Sequence, residues 1–199
     1  MSQYFPPTRI TLISHPATRQ QKAGVFPADE PLDMRSLEQL AAIAWKVPKS
    51  TLILVAPERR TRQTAEALKL NATDARELGE CDFGHWRGTS LKALQTKDPG
   101  GLSEWLSDIT AAPHQGESFY NLIIRVGRWL ETLHDVGHVI AVTHASIVRA
   151  AIVHVLQAPA HEAFRRIEIA PTTMTEIRRS RGYWQVLSVG VPLISASLG

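Results

Sequence analysis

The sequence contains little cysteine and no long apolar run. Cys81 is the only cysteine among 199 residues, so no internal disulfide can form and a reducing compartment is indicated. No stretch of about eighteen apolar residues is present, which predicts that no helix spans a membrane. The N-terminus has neither a basic start nor an apolar core, which argues against a signal peptide. We therefore expect a cytoplasmic protein without a membrane partner.

Charge of either sign is in only small excess. The chain has 22 Lys and Arg against 19 Asp and Glu, a net charge of +3. This balance permits a polyanionic partner, but the basic residues are scattered, and their densest cluster, Arg178 to Arg181, is predicted to be a solvated turn between two strands. With no recognised nucleic-acid module, we expect no nucleic-acid partner. A modest positive charge also suits a small anionic substrate.

Two histidines follow short apolar runs that are typical of strands. Ile10, Leu12 and Ile13 precede His15, and Pro16 stops further pairing because it has no N–H. The stretch from 137 to 146 repeats this pattern around His144. In an α/β sheet both histidines would lie at the carboxyl edge, where ligands bind. A single histidine at a strand end is more often structural than catalytic.

A third strand, predicted over residues 51–55, leads directly into a helix that begins with Arg59, Arg60 and Arg62. Arginines are unusual at a helix start, because the helix dipole there favours anions. They are explained if an anion binds nearby, where guanidinium groups and backbone N–H groups would converge on it. The alternative is an ordinary solvated first turn.

The segment from Leu78 to Gly88 has the glycines and aromatic residues of a folded loop. Its acids, Glu80 and Asp82, flank a partly apolar element that could raise the pKa of a carboxyl group. A carboxyl group that stays protonated near neutral pH can serve as a general acid. The alternative is a structural loop anchored by Phe83 and Trp86.

The remaining patterns predict the flanking helices and a hairpin. The expected helices are one capped by Asp33 and running to Ala44 before Lys46 and Pro48, one over 90–106 interrupted at 98–101, one from Glu117 and Ser118 to Leu133, and one over 147–156. Alternation over 173–177 and 183–188 predicts an antiparallel hairpin. We expect a single α/β domain over residues 1–199, a three-layer α/β/α sandwich whose mostly parallel sheet has an antiparallel C-terminal edge strand.

These elements would bring two imidazoles, arginines and a carboxyl group to one sheet edge. That set suits phosphoryl transfer: a neutral imidazole attacks phosphorus, cationic donors stabilise the equatorial oxygens, and an acid protonates the leaving oxygen. The chemistry needs no metal or other cofactor.

The chain resembles the histidine phosphatase superfamily, also called phosphoglycerate mutase-like, along nearly its whole length. The family's Leu-x-Arg-His-Gly-x-Thr is similar to Leu12–Thr18, and its Ser-Pro-x-x-Arg-x-x-Gln-Thr-Ala to Ala56–Ala65. Leu-x-Glu-x-x-Phe-Gly-x-Trp-x-Gly is matched in full from Leu78 to Gly88. Further similarities lie at Gly116-Glu117-Ser118 with Arg125, and at Val142–Ala145.

The resemblance implies a role for each matched residue. His15, Glu80 and His144 would be catalytic, with His15 as nucleophile and Glu80 as proton donor. Arg60, Thr18, Gln21 and Ala145 would bind phosphate. The short connection between Trp86 and Gly116 resembles small phosphatases such as α-ribazole phosphatase, which implies hydrolysis of a small-molecule phosphomonoester. A homodimer is a further expectation.

The first motif departs from the family pattern. Ser14 stands where the family has arginine, and Pro16 where it has glycine. Loss of that guanidinium removes a charge-assisted contact worth about 1.5–3 kcal/mol. Arg19 and Arg59 could partly compensate. Two hypotheses follow: a working phosphatase with an altered phosphate pocket, or a catalytically impaired relative that binds a phosphorylated ligand or a protein partner.

Overall fold

The computed structural model describes residues 7–44, 47–48, 51–133 and 135–193, and the fold is a six-stranded sheet with helices on both faces. The strands, in chain order, are β1 Thr8–Ser14, β2 Leu52–Val55, β3 Thr73–Asp74, β4 His138–Thr143, β5 Thr173–Ser180 and β6 Tyr183–Pro192. The helices are α1 Arg19–Lys22, α2 Met34–Ala41, α3 Arg59–Ala67, α4 Leu91–Lys97, α5 Pro99–Ser107, α6 Phe119–Thr132, α7 Ala145–Leu156 and α8 Ala160–Ala163. Short 3-10 helices lie at Arg76–Leu78, Gly84–Trp86 and Phe164–Arg166.

The strand order is β3-β2-β4-β1-β5-β6, and it confirms the predicted α/β sandwich with a mostly parallel central sheet. β4 pairs in parallel with both β1 and β2, whereas β5 runs antiparallel to β1 and β6 antiparallel to β5. The strands β5 and β6 form the predicted antiparallel hairpin at one edge of the sheet.

Apolar side chains fill the space on both faces of the sheet. On one face Leu12 and Ala141 belong to a buried cluster with residues of α6 and α7. On the other, Ile13 and Val142 belong to a second cluster with residues of α2 and α3. Burial on both faces explains why β1 and β4 show apolar runs instead of alternation, whereas β2 is less covered and its Leu52 is exposed.

Predicted boundaries differ from the structure at the end of α2, between α4 and α5, and at the C-terminal hairpin. α2 ends at Ala41 instead of Ala44, and Lys46 lies outside the described residues. The break over 98–101 is limited to Asp98, whose carboxylate accepts a hydrogen bond from the N–H of Gly101 and so caps α5. The supposed turn over 178–181 is mostly β5, because Arg181 and Gly182, both at positive φ, suffice to reverse the chain.

The parallel pairing of the central strands brings their carboxyl ends together. Ser14 is opposite Thr143 in the β1–β4 register, and Val55 is opposite Val142 in the β2–β4 register. The residues that follow these strands, His15, His144 and Ala56, therefore lie side by side at one edge. Within the described ranges, no helix is long and apolar enough to cross a membrane.

Candidate active site

His15 and His144 face each other at the ends of β1 and β4. The N–H of His15 donates to the carbonyl oxygen of Thr143 at 3.2 Å, and the two imidazole centroids are 5.1 Å apart with a 74° angle between the rings. Both residues are buried. The sheet register thus places together two residues that are far apart in the sequence.

The contacts of His15 fix its tautomer. Its Nδ1 lies 2.6 Å from the carbonyl oxygen of Pro16, which can only accept, so Nδ1 carries the hydrogen. Nε2 is left with a lone pair, and the Nε–H of Arg60 donates to it at 3.2 Å. Burial, followed by the positive charges of His144 and Arg60, lowers the pKa of His15 to about 3. His15 is therefore a neutral imidazole whose Nε2 lone pair is directed at Arg60.

Arg60 lies in the first turn of α3 and is fully buried. Its Nη2 is 3.3 Å from Oε2 of Glu80, and its Nη1 is 3.9 Å from Oε2 of Glu30. Among the described residues, Nη1 has no hydrogen-bond partner. A buried N–H without a partner is costly, and an oxygen of a bound phosphoryl group would satisfy it.

Glu80 is the meeting point of four polar groups. Oε1 accepts hydrogen bonds from the hydroxyl of Ser146 and the N–H of Cys81, and Oε2 faces Arg60 and, at 3.4 Å, Nδ1 of His144. Burial alone would raise the pKa of Glu80, but the charges of His144 and Arg60 and the Ser146 hydrogen bond lower it instead. The expectation of a raised carboxyl pKa in this loop is therefore wrong for the free protein, in which Glu80 is ionised.

The second acid of that loop lies apart from the site. Asp82 is exposed and forms an ion pair with Arg87, with Oδ1 and Nη2 2.9 Å apart. Phe83 and Trp86 are buried and anchor the loop, as the structural alternative expected.

His144 is held between two carboxylates. Its Nε2 is 2.8 Å from Oε2 of Glu58, and its Nδ1 faces Glu80. Burial would raise the pKa of Glu58, but the hydrogen bond and charge of His144, together with the N–H of Glu80, lower it to about 2. Glu58 is thus an ionised partner that orients His144.

Sequence reasoning missed Glu58, Glu30 and Ser146. Glu58 lies inside the matched segment Ala56–Ala65, beside the arginine that was selected, and Ser146 follows Ala145 directly. Their positions next to motif residues were the available signal. Glu30 has no local signal, because only the tertiary structure brings it to Arg60.

Thr18 and Gln21 are turned toward their own loop. The Thr18 hydroxyl donates to Oε1 of Glu30 at 2.8 Å and accepts from the N–H of Gln21, whose Oε1 in turn accepts from the N–H of Thr18. This reciprocal pair is a capping box at the start of α1. Thr18 thus holds Glu30, which lies 3.9 Å from Arg60, and Gln21 holds Thr18, so the structure gives no direct support to their phosphate-binding role.

Ala145 is the first residue of α7, whose cap residue, His144, makes no side-chain hydrogen bond to the first turn. The backbone N–H groups of that turn can therefore approach an anion.

Neither compensating arginine reaches His15. Arg19 is exposed, and its charge acts on Asp33, while Arg59 is exposed and its backbone N–H donates to Oδ1 of Asp29 at 2.7 Å. Within the part of the chain that the structure describes, no hydrogen bond joins either guanidinium to the site. The structure gives no contact that would support compensation.

Ser14 is turned away from His15. Its hydroxyl donates to the carbonyl oxygen of Ala170 at 2.8 Å and accepts from the N–H of Thr173 at 3.2 Å, and the residue is 1% exposed. The side chain thus fastens the end of β1 to the start of β5. In the described part of the chain the Ser14 side chain makes no hydrogen bond to His15 or Arg60.

Arg125 on α6 positions the loop that carries Glu80. It forms a two-pronged ion pair with Glu117, with Nε and Nη2 at 2.8 and 2.7 Å from the two carboxylate oxygens. The same guanidinium donates to the carbonyl oxygens of Glu77 and Gly79 at 2.7 and 3.1 Å. The matched Gly-Glu-Ser segment therefore acts on the site through this arginine.

Three side chains of the site could together hold a cation. Donor atoms of His15, Glu80 and His144 all lie within 4.8 Å of one another, although the guanidinium of Arg60 contacts two of them. The sequence also has one His-x-x-x-His spacing, at 134 and 138; position 134 lies outside the described residues, and the ring of His138 bonds the hydroxyl of Thr11 at 2.9 Å. The prediction of no metal remains a prediction.

Comparison with known proteins gives matches along most of the chain. The model of the histidine phosphatase superfamily (branch 1) matches residues 10–192. The bifunctional protein Rv2228c of Mycobacterium tuberculosis is 25% identical over 183 residues, covering 85% of this chain and 50% of that protein. The chain thus spans about half the length of the curated relatives that it matches.

Solved structures show the same fold. The α-ribazole phosphatase from Shigella flexneri superimposes with a TM-score of 0.81 at 23% identity, covering 96% of this chain and 100% of that one. The mycobacterial glucosyl-3-phosphoglycerate phosphatase Rv2419c gives a TM-score of 0.79 at 20% identity, with 93% and 99% covered.

Proposed function

Because the chain belongs to the histidine phosphatase superfamily (branch 1), we propose that it hydrolyses a small phosphomonoester through a phosphohistidine on His15. One observation carries the proposal: a neutral His15 presents Nε2 beside a buried Arg60 that has an unpartnered Nη1. This arrangement supports His15 as the nucleophile and Arg60 as the phosphate-binding group. The similar structures that are named as phosphatases support a phosphatase activity in general.

In the first step the Nε–H of Arg60 turns from His15 to the bound phosphoryl group, and the freed lone pair of Nε2 attacks phosphorus. A P–N bond forms while the bond to the leaving oxygen breaks, and Arg60, His144 and the first turn of α7 stabilise the charge on the equatorial oxygens. The carbonyl of Pro16 holds the Nδ1–H and stabilises the positive charge that develops on the ring. Pro16 therefore keeps the carbonyl acceptor at this position, although it has no N–H.

The leaving oxygen takes its proton from Glu80. Glu80 is ionised in the free protein, so it has to receive this proton first. We assign the substrate as the source, because a phosphomonoester loses its second proton near pH 6 and can pass it to Glu80 on binding. The bound phosphoryl dianion then favours the protonated carboxyl group by like-charge repulsion. In the second step Glu80 removes a proton from water, the water oxygen bonds to phosphorus, and the P–N bond breaks.

The test is phosphate release from phenyl phosphate and a panel of small phosphomonoesters. We expect turnover by the wild type, none by His15→Ala, and wild-type turnover by His161→Ala, a control at an exposed histidine. Rapid quenching in base should trap a phosphohistidine in the wild type only. Full activity of His15→Ala would refute the assignment.

One observation favours the second candidate function, a catalytically impaired protein that binds a phosphorylated ligand or a protein partner. Ser14 supplies no guanidinium to the pocket, since its hydroxyl bonds to Ala170 and Thr173. Binding of a non-hydrolysable phosphonate, without release of phosphate from any ester in the panel, would support this candidate. The cytoplasmic location, the absence of a nucleic-acid partner and the homodimer remain predictions.

A further inference from the structure

A cavity opens beside Glu80. It has a volume of about 460 Å³, and its lining includes Glu80 and Ser146. Glu80 is the group proposed to protonate the leaving oxygen, and Ser146 bonds to it. We call this space the leaving-group cavity, because the part of the substrate attached to that oxygen would have to enter it.

One wall of the leaving-group cavity is aromatic. Phe26, Phe83, Trp105 and Phe119 line it, and they contact one another with ring centroids 4.9 to 6.5 Å apart. The guanidinium of Arg165 lies 5.5 Å from the ring centroids of both Trp105 and Phe119 and donates a hydrogen bond to the Trp105 carbonyl oxygen. These contacts stabilise the positions of the two rings. An apolar or planar leaving group would find a preformed surface there.

Arg149 supplies a charge to the same cavity. It lines the space, is half-buried, and its Nε is fully buried without a hydrogen-bond partner. Its guanidinium lies 5.1 Å from the ring centroid of Phe164, but across the ranges that the structure describes it makes no hydrogen bond or ion pair. The other well-buried arginines differ: Arg60 faces two carboxylates, and Arg125 has Glu117 and backbone carbonyls.

A partly desolvated guanidinium without an acceptor is destabilising unless a ligand supplies one. Burial lowers the pKa of Arg149, which reflects the same desolvation. Glu80 and Glu168 act on this arginine only through space. The described chain supplies no acceptor to Arg149, so this guanidinium is free to bind an anion in the cavity.

The position of Arg149 defines where that acceptor would lie. Ser146 and Arg149 are three residues apart on α7 and so share one helix face, with Cβ atoms about 5–6 Å apart. Ser146 bonds to Glu80, the proposed proton donor. Arg149 lies about one helical turn farther along α7 from the phosphoryl site. Building on the proposed function, we infer that the substrate carries a second anionic group, a carboxylate or a second phosphate, which Arg149 binds while the apolar body lies against the aromatic wall.

Matched phosphonates test this inference without turnover. Dissociation constants are measured by calorimetry for benzylphosphonate, for 4-carboxybenzylphosphonate, and for 4-phosphonobenzylphosphonate, which has a second phosphonate in place of the carboxylate. We expect the wild type to bind at least one of the doubly anionic probes about tenfold to a hundredfold tighter than benzylphosphonate. Whether the carboxylate or the second phosphonate binds tighter identifies the second group.

Three variants show whether Arg149 is responsible. Arg149→Gln should reduce the preference to less than about threefold, Arg149→Lys should keep part of it, and Arg128→Gln, at an exposed arginine of α6, should keep all of it. Equal affinity of the wild type for all three probes, or a preference that survives Arg149→Gln, would overturn the inference. Failure of the proposed function looks different, because it appears as absent phosphate release and leaves these affinities unaffected.

Discussion

Replacing His15 by asparagine should change how the stability of the protein depends on pH. The Nδ2–H of asparagine can still donate to the Pro16 carbonyl, but its side chain does not titrate. His15 has an ordinary pKa of 6.5 when unfolded and a pKa of about 3 when folded. Below about pH 6.5 His15 therefore binds a proton in the unfolded chain but not in the folded chain, so the free energy of unfolding falls as the pH falls.

The size of this effect follows from the two pKa values. Between pH 7 and pH 5 the wild type should lose about 2 kcal/mol more unfolding free energy than His15→Asn. His114 and His138, whose pKa values burial also lowers, contribute equally to both proteins and cancel in the difference. The carboxylate of Glu58, with a pKa lowered to about 2, stays ionised in the folded protein throughout this range.

Urea denaturation followed by tryptophan fluorescence at pH 7, 6 and 5 provides the measurement. His161→Asn, at a side chain that is 73% exposed, is the control and should follow the wild type. If the wild type and His15→Asn lose the same unfolding free energy, within about 0.5 kcal/mol, then His15 is not a desolvated neutral imidazole. The argument for a nucleophile that needs no base would then fail.

Three other predictions concern the rate and the supports of the site. The value of kcat/KM for phenyl phosphate should stay level from about pH 5.5 to about pH 4, because His15 remains neutral there. Above about pH 6 it should fall about tenfold per pH unit, because the ester loses its proton. A decrease of kcat/KM as the pH falls below about 6 would contradict this. Ser14→Arg should lower the unfolding free energy by about 1–3 kcal/mol without raising phosphate release, since position 14 is 1% exposed and faces Ala170; a stable, more active variant would show that the guanidinium reaches the pocket. Arg125→Gln should cost about 1.5–3 kcal/mol by urea titration, while the exposed control Arg128→Gln should cost less than about 0.5.

The sequence alone determined the elements and the chemical groups of this protein. The apolar run from Ile10 to Ile13 has to be covered on both faces, and a chain that buries such runs between helices forms a mostly parallel sheet. Since the carboxyl ends of parallel strands lie at one edge of a sheet, His15, His144 and Arg60 could be assigned to the same edge from sequence. That β1 and β4 are neighbours, so that the two histidines meet, came only from the strand order.

Only the tertiary structure decided the ionisation and orientation of these groups. The pKa of Glu80 depends on His144, Arg60 and Ser146, which lie far from it in sequence, so local apolar neighbours predicted the wrong direction. The side chains of Thr18 and Ser14 turned to acceptors that other segments supply, Glu30 and Ala170. The physical reason is that strand and helix patterns arise from neighbouring residues, whereas desolvation, charge and hydrogen-bond choice depend on every segment that packs around a group.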